Sequence, residues 1–189
     1  MSEYPKAMAM ELQPTLQGPS LLLRPLAWSD QMALTKAASD PAIWRLHPEP
    51  TRYLPEVFAS VFESGMQSGS AFVIEDSHTG EVLGTSRYYE LDLAQSAVAI
   101  GYTFLVCSRW GGPANRELKQ LMLQHAFKFV EQVWFHVGEQ NWRSRKAVEK
   151  LGATLEKIAS SPTAVVPRNT AFYRLTKVQF AAQLASQAE

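Results

Sequence analysis

The segment IGYTFLVCSRWGGPAN, residues 100–115, decides the fold of this chain. It joins an apolar strand to a turn that contains Gly111 and Gly112, and the turn leads directly into a helical pattern. A helix start of this kind gathers unpaired backbone N–H groups at the positive end of the helix dipole. It therefore suits an anion, above all a diphosphate, although glycine-rich turns also occur where they serve structure alone.

The helix after this turn is predicted over Ala114–Val130, because apolar side chains recur there at helical spacing. The preceding strand, Ala97–Val106, is apolar on both faces and is expected at the centre of a covered sheet. The turn has neither the Gly-Lys-Ser/Thr of a Walker A loop nor the spacing of a G-x-G-x-x-G dinucleotide site. The motif therefore belongs to neither of those phosphate-binding classes.

Strands and helices are also predicted along the rest of the chain. The strands are at residues 21–26, 71–75, 82–90, 133–137, 154–158 and 171–178, and the helices at 28–38, 55–66 and 141–151. This order predicts an α/β fold of the mixed α+β kind, with helices on both faces of one partly antiparallel sheet. Residues 1–18 are expected to form a loosely ordered N-terminal arm, and residues 19–189 a single domain.

Composition excludes several classes of protein. The chain has 189 residues, 46% of them hydrophobic, and 18 basic residues balance 18 acidic ones, so no nucleic-acid or membrane surface is expected. The single cysteine, Cys107, rules out an intramolecular disulfide, and the four scattered histidines predict no metal site. No secretory signal or membrane-spanning run is apparent, which predicts a cytoplasmic protein.

A second informative segment is QNWRSRKAVEKLGA, residues 140–153, which reads as the end of a strand followed by a helix. Asn141 stands at the start of that helix and Ser144 one turn further on. An asparagine here is either an ordinary N-cap or an amide that hydrogen-bonds a ligand lying between the two central strands. Both interpretations stay open at this point.

These two segments together resemble the GNAT superfamily of N-acetyltransferases, and in particular the branch related to the ribosomal-protein N-terminal acetyltransferases. LLLRPL at residues 21–26, with Asp30 after it, and Arg168-Asn169-Thr170 before the last strand match the same branch. The resemblance spans roughly residues 20–180. It implies a largely antiparallel sheet with a splayed central strand pair, and acetyl-CoA as the cofactor. It also implies transfer of the acetyl group to a small-molecule or peptide amine, by direct attack in a ternary complex.

The resemblance also implies where the cofactor binds. The pantetheine arm would lie between the strands at residues 100–105 and 133–137, with Asn141 and Ser144 facing it. The diphosphate would rest on the turn, and Asn115 and Lys119 match positions of this branch. The cofactor-binding residues implied in this way are Phe104, Leu105, Val106, Arg109, Trp110, Gly111, Gly112, Ala114, Asn115, Asn141 and Ser144.

Three positions depart from the family pattern. Pro113 stands where a second glycine is expected in the phosphate turn, Val148 where many relatives carry a tyrosine general acid, and Ala99 where many carry a glutamate. Because acetyl transfer still requires proton transfers, we assign Ser144 as the hypothetical proton donor and Glu90 as the hypothetical base, acting through water.

Several residues keep two interpretations. Cys107 reads as a small buried hydrophobe rather than a nucleophile, and His136 as a hydrogen-bonded core residue rather than a base. Trp28, Trp44 and Tyr53 lie in the helical region that shapes the acceptor pocket of similar proteins, but aromatic residues there also serve the core. The basic cluster of Arg143, Arg145 and Lys146 is either a solvated helix face or a contact for the 3′-phosphate of the cofactor.

Two other classes of function compete with an active transferase. One is a catalytically weak module that binds or senses acyl-CoA, and the other is an unrelated α/β enzyme with a glycine-rich phosphate site. A homodimer is common among similar proteins and is also left open.

Overall fold

The computed structural model describes residues 9–160 and 169–186. Its eight strands are β1 (Leu16–Gln17), β2 (Leu21–Pro25), β3 (Ala71–Asp76), β4 (Val82–Asp92), β5 (Ala97–Leu105), β6 (Gln132–Gly138), β7 (Thr154–Ser160) and β8 (Asn169–Thr176). Its α-helices are α1 (Gln31–Ala38), α2 (Pro41–Trp44), α3 (Pro55–Ser68), α4 (Ala114–Ala126), α5 (Trp142–Glu149) and α6 (Lys177–Ala185). Short 3₁₀ turns cover Trp28–Asp30 and Cys107–Arg109.

All eight strands form one sheet in the order β1-β2-β3-β4-β5-β6-β8-β7. The pairing is antiparallel everywhere except between β5 and β6, which run parallel. A parallel pair needs a crossover connection, and α4 supplies it. The predicted mixed, largely antiparallel sheet is therefore confirmed.

Each face of the sheet carries a separate hydrophobic cluster. In β3, Phe72 and Ile74 join the cluster that includes α4, α5 and α6, whereas Ala71 and Val73 join the cluster formed with α1, α2 and α3. Alternate residues of a strand point to opposite faces, so the two clusters lie on opposite sides of the sheet. The prediction of helices on both faces is confirmed.

The end of the chain departs from the predicted elements because of a capping box. The last strand ends at Thr176, two residues earlier than predicted, and α6 follows it at once. The Thr176 hydroxyl accepts a bond from the Gln179 N–H, and the Gln179 side chain accepts one from the Thr176 N–H at 2.8 Å. This Thr-x-x-Gln pattern marks a helix start, and it redirects a sequence that otherwise continues the strand.

Part of the predicted N-terminal arm packs on the domain. Met10 is buried in the cluster under α4, and the Gln13 side chain donates a hydrogen bond to the Ala71 carbonyl at 2.8 Å. Residues 16 and 17 pair with β2 as a short edge strand. Residues 1–8, 161–168 and 187–189 lie outside the described residues, and Arg168 of the matched segment is among them. The domain boundary after residue 18 stays a prediction.

Glu117 fixes α4 to the start of β2, next to the edge strand β1. Its carboxylate accepts hydrogen bonds from the backbone N–H groups of Ser20 and Leu21, at 2.8 and 2.9 Å, and a further bond from the Ser20 hydroxyl. Ser20 precedes β2 and Leu21 is its first residue, and hydrogen bonds to a charged acceptor are stronger than neutral ones. Glu117 therefore sets the position of the helix whose N-terminus faces the central strands.

We expect Glu117→Ala to lower the free energy of unfolding by about 2–3 kcal/mol, because two backbone donors lose a charged acceptor. Urea denaturation followed by circular dichroism measures this change. The matched control is Glu131→Ala, whose carboxylate is exposed and pairs with Lys177 at 3.3 Å; an exposed pair of this kind contributes about 0–1 kcal/mol. Equal midpoints for the two variants would contradict the role given to Glu117.

Candidate active site

The two central strands part after three paired residues. Ala97, Val98 and Ala99 of β5 pair with residues 132–134 of β6, and no pairing continues beyond them. On their outer edges the strands stay paired, β5 with β4 up to Leu105 and β6 with β8 up to Gly138. The sheet therefore opens into a V between two strands that are each held from outside, which confirms the predicted splayed pair.

A bulge in β5 accounts for the opening. Thr85 of β4 pairs with Phe104, but Arg87 pairs with Gly101, so β5 carries one residue more than β4 between these two pairs. Tyr102 lies inside the bulge with φ of +52°, in the left-handed region. A bulge bends its strand and increases its twist, and this turns the end of β5 away from β6.

Tyr89 fills the closed end of the V. Its ring lies against Gly101, where a Cβ atom would approach the ring to 2.8 Å. Burial is the main cause that raises the pKa of the Tyr89 hydroxyl, and the charge of Glu90 raises it further. A hydrogen bond from the backbone of His136 opposes the rise. Tyr89 thus bridges from β4 across Gly101 to the first part of β6 that lacks a β5 partner.

A cavity of about 550 Å³ lies at the mouth of the V. Its described lining includes four basic residues, Arg116, Arg143, Lys146 and Lys150, and no acidic one. Arg143 also stacks on the Trp110 ring, with 3.8 Å from its guanidinium carbon to the ring centroid, and donates to the Ile43 carbonyl at 3.0 Å. The mouth therefore has a positive rim suited to a polyanionic ligand.

The turn at this mouth ends in the N-terminus of α4. The first helical hydrogen bond runs from the Glu117 N–H to the Pro113 carbonyl at 2.9 Å. The N–H groups of residues 114–116 precede this bond and have no carbonyl one turn back to receive them. Pro113 has φ of −75°, which is within the range that a proline ring fixes. Proline therefore starts the helix without distortion and removes a single donor.

Most of the cofactor-binding residues inferred from the resemblance come together here. Those that line the mouth cavity are Phe104, Leu105, Trp110, Gly111, Gly112, Asn115, Asn141 and Ser144. Asn141 also caps α5, because its side-chain oxygen accepts the Ser144 N–H at 3.2 Å. The N-cap interpretation thus holds, and it leaves Asn141 on the cavity wall.

Three of the inferred residues are either bonded to other groups of the protein or buried. The Arg109 guanidinium pairs with the Asp76 carboxylate at 2.5 Å, and the backbone N–H of Arg109 donates to the Val106 carbonyl. The backbone N–H of Val106 donates to the Leu83 carbonyl of β4, and Ala114 is buried. None of the three is among the residues lining the mouth cavity. The sequence pattern identified the turn correctly but could not tell which of its side chains face inward.

A second cavity, of about 620 Å³, continues through the V; we call it the inner chamber. It shares Thr103, Phe104, Asn115 and Ser144 with the mouth cavity, so the two form one passage. Side chains from β4, β6 and β8 line its far end, among them Glu90, His136 and Phe172. Trp44 lines both cavities, whereas Trp28 and Tyr53 line neither.

Glu90 and His136 form a pair in the inner chamber. The carboxylate lies 3.8 Å from Nδ1 of the imidazole, and the Glu90 side chain is 66% exposed against 20% for His136. Burial lowers the pKa of His136, an effect that Glu90 opposes and Lys157 reinforces. The sequence interpretation placed His136 in the core, but strand alternation could have corrected it, since Val133, Phe135 and Val137 fill the other face of β6.

Comparison with known proteins now decides the family. The family described as the acetyltransferase (GNAT) domain matches residues 20–154. The chain belongs to the GNAT family of acetyltransferases. It is an N-acetyltransferase, and enzymes of this family use acetyl-CoA. None of the curated proteins compared with the chain matches it.

Solved structures of GNAT enzymes share this fold. A GCN5-related N-acetyltransferase from Brucella melitensis matches with a TM-score of 0.82 and 22% identity, covering 93% of this chain and 85% of that one. Mycobacterium smegmatis RimJ in complex with CoA-disulfide gives 0.70 and 19%, with coverages of 93% and 94%. Spermidine N-acetyltransferase from Vibrio cholerae, in complex with CoA and spermine, gives 0.67 and 15%, with coverages of 87% and 99%.

In this GNAT enzyme, the family's acid position carries no titratable group. Val148 lines the inner chamber as an apolar residue, and Ala99 is buried in the last β5–β6 pair. Lys119 of α4 lines the same chamber and is 5% exposed. Besides matching a position of the related branch, it stands out in the sequence as a charge inside an apolar helical stripe, next to Leu118 and facing the same way as Met122 and Leu123.

Two other residues are outside the chemistry of the acetyltransferase. Burial and the neighbouring Asp40 raise the pKa of the Cys107 thiol to about 11. The thiol therefore stays protonated at neutral pH, and the side chain is partly buried against the α1–α3 cluster rather than fully buried as predicted. Arg145 bonds to the Tyr173 hydroxyl and the Glu139 carbonyl, so within the basic cluster it is a structural residue.

The described residues contain neither a cluster of metal ligands nor a membrane-spanning helix. Within residues 9–160 and 169–186, His, Cys, Asp and Glu side chains do not come together in threes or more around a point that could hold a metal ion. No helix in the same ranges has both the length and the apolar character needed to span a bilayer.

Gly111 and Gly112 offer a matched test of the turn. Gly111 has φ of +71°, whereas Gly112 lies outside the left-handed region, and a Cβ atom at either position would meet nothing within 4 Å. We expect Gly111→Ala to lower the free energy of unfolding by about 1 kcal/mol through backbone strain alone. Gly112→Ala should leave it unchanged. Thermal and urea denaturation without ligand measure the stability of both variants. A Gly111→Ala variant as stable as wild type would contradict the left-handed backbone angle at this position.

Proposed function

We propose that this enzyme moves the acetyl group of acetyl-CoA to a single primary amine on a small molecule or peptide, by direct attack in a ternary complex. The observation that supports this proposal is the passage through the V. A basic mouth lies at one end, and the Glu90–His136 pair lies in the chamber beyond it. A cofactor that enters from the mouth and an amine that enters from the chamber would meet between the parted strands.

The donor groups at the mouth fit the cofactor. Backbone N–H groups of Gly111, Gly112 and the first turn of α4 would hold the diphosphate, and Arg116 with Lys146 would balance the remaining phosphate charge. Asn141 and Ser144 lie on the wall where the pantetheine arm would pass. Bound acetyl-CoA supplies the acetyl group as a thioester.

The backbone of β5 between residues 104 and 106 has limited capacity left for a ligand. The Val106 N–H is used by β4, and the Leu105 carbonyl accepts a bond from the Trp110 indole at 2.9 Å. The Leu105 N–H is therefore our candidate donor to the thioester oxygen as negative charge develops there. A donor that is aimed in advance at developing charge stabilises the transition state most effectively.

His136 is the proposed acceptor of the amine proton. Its pKa is lowered chiefly by burial, so the imidazole is neutral at neutral pH and can take a proton. The Glu90 carboxylate, 3.8 Å away, would stabilise the imidazolium that forms. Glu90 thus acts as a positioning residue. The role of base, which the sequence suggested for Glu90, belongs to His136 in this proposal.

The chamber lining favours an acceptor with one amine. Glu90 is the single carboxylate among its described lining residues, whereas Tyr102 and Phe172 provide aromatic walls and Asn169 a polar contact. A polyamine would need several carboxylates to balance its charge. A peptide N-terminus or a small monoamine, with its apolar part against the rings, suits the chamber better. The cytoplasmic location and the homodimer stay predictions.

Two measurements test the function. Calorimetric titration should show CoA binding, and incubation with acetyl-CoA plus peptides, monoamines or polyamines should release free thiol with the first two classes.

Arg143→Ala should weaken CoA binding roughly tenfold, a loss of about 1.4 kcal/mol. The control is Arg174→Ala, which removes the partner of Glu156 outside both cavities and should leave CoA binding unchanged. Tight CoA binding without thiol release would identify a binding module instead, and no CoA binding would refute the assignment.

The pH dependence tests the Glu90–His136 pair. Glu90 raises the pKa of His136, so Glu90→Gln should lower that pKa further. The acidic limb of kcat/KM, below which His136 is protonated and inactive as a base, should then move to lower pH. Glu81→Gln, an exposed turn residue at the far end of β4, is the control and should leave the limb in place. An unmoved limb in Glu90→Gln, or full activity in His136→Gln, would exclude the pair.

A further inference from the structure

Lys119 reaches into the V between its two arms. Its Nζ atom donates a hydrogen bond to Oγ1 of Thr103 on β5 at 2.7 Å and lies 5.9 Å from the ring centroid of Phe135 on β6. Both strand residues lie beyond Ala99 and Trp134, the last pair before the strands part. The amino group is therefore placed inside the opening, and Lys119 is one of the residues lining the inner chamber.

No carboxylate among the described residues pairs with this amino group. An ammonium has three N–H donors, and the structure gives one bond, to a hydroxyl that is itself 2.7 Å from Ser86 Oγ. The other titratable or charged groups lining the chamber are Glu90 of β4, His136 of β6, the tyrosines Tyr89 and Tyr102, and His47 and Arg52 before α3. None of them contributes to the pKa of Lys119, which burial alone lowers to about 7.

Stability does not explain a lysine at this position. A charge moved from water into a protein interior carries a desolvation cost, and replacing a buried charge with an apolar side chain of similar size is often neutral or stabilising. A methionine here would pack beside Leu118 and Met122 without that cost. The position therefore keeps a costly amino group that faces the reaction space, which indicates a chemical role.

We propose that Lys119 is the proton donor to the departing sulfur in acetyl transfer, an assignment that rests on the proposed function. The family's acid position on α5 carries Val148, which lines the same chamber. The proton would thus come from the neighbouring helix, α4. The Lys119 ammonium gives its proton to sulfur as the carbon–sulfur bond breaks and the amine nitrogen bonds to the acetyl carbon. His136 takes the amine proton and releases it to solvent, and Lys119 regains a proton from solvent, so charge and atoms balance and both groups are restored.

Proton transfer in this direction is favourable. An ordinary thiol has a pKa of about 8.5, above the value of about 7 for Lys119, so the thiolate is the stronger base of the two. Ser144, the donor assigned from the sequence, is a much weaker acid than an ammonium. Its position on the cavity wall suits a hydrogen bond to the pantetheine arm rather than proton donation.

The first test reads the sulfur directly and needs no turnover. CoA is bound to the enzyme and its thiol is titrated by the ultraviolet absorbance of the thiolate, in wild type, in Lys119→Met and in the exposed-lysine control Lys128→Met. An ammonium a few ångströms from the sulfur favours the thiolate, but Lys119 carries its charge only up to about pH 7, so the effect is read at that pH. We expect the thiolate fraction of bound CoA at pH 7 to be several-fold higher in wild type and in the control than in Lys119→Met. The same thiolate fraction in all three proteins would overturn the proposal.

The second test separates chemistry from structure. Lys119→Met should keep the melting temperature of wild type or exceed it, keep KM for acetyl-CoA, and lower kcat by on the order of 100-fold, as expected for a lost general acid. Lys119→Arg should favour the thiolate of bound CoA at least as strongly as wild type but lose kcat, because arginine keeps its charge and holds its proton. A kcat within twofold of wild type in Lys119→Met would refute proton donation. Failure of wild type to bind CoA at all would instead refute the proposed function.

Discussion

The bulge at Tyr102 is the constraint on which the rest of this molecule depends. One extra residue in β5, held at a left-handed backbone angle, separates this strand from β6 while both remain paired on their outer edges. Because the outer ladders hold each arm along its whole length, the opening is part of the pairing pattern of the sheet. A site built on rigid strands holds its groups more accurately than one built on loops.

The opening exposes backbone and polar groups that a continuous sheet would pair, and neighbouring side chains take them up. Tyr89 reaches across Gly101 to the backbone of His136, the Trp110 indole bonds the Leu105 carbonyl, and the Thr103 hydroxyl accepts from Lys119. Buried polar groups without partners are costly. The residues around the V therefore serve stability and chemistry together, which explains why several polar side chains lie so deep in the sheet.

Periodicity in the sequence was sufficient to predict the sheet and its two covered faces, and the resemblance to the GNAT superfamily implied the position of the splayed pair. Side-chain direction was harder to predict. Arg109 belongs to the motif but turns toward Asp76 of β3, a contact across 33 residues that no local pattern encodes. His136 and Lys119 were underrated for the same reason, since each becomes significant only when β6 and α4 face one chamber. The capping box at Thr176, by contrast, was visible in the sequence and was outweighed by an apparent continuation of the strand.

Proton handling in this enzyme illustrates why chemistry should be traced in space rather than by sequence position. The positions that carry an acid and a base in many relatives hold Val148 and Ala99, and a comparison of motifs alone would suggest an inactive protein. The same chamber nevertheless holds a histidine whose pKa is lowered from its usual value and a lysine whose pKa is near neutral. At a pH above the lowered pKa of His136 and below that of Lys119, the histidine is free to accept a proton while the lysine still carries one. Two groups whose environments set opposite protonation states at one pH form a working acid–base pair, and here burial in the V sets both.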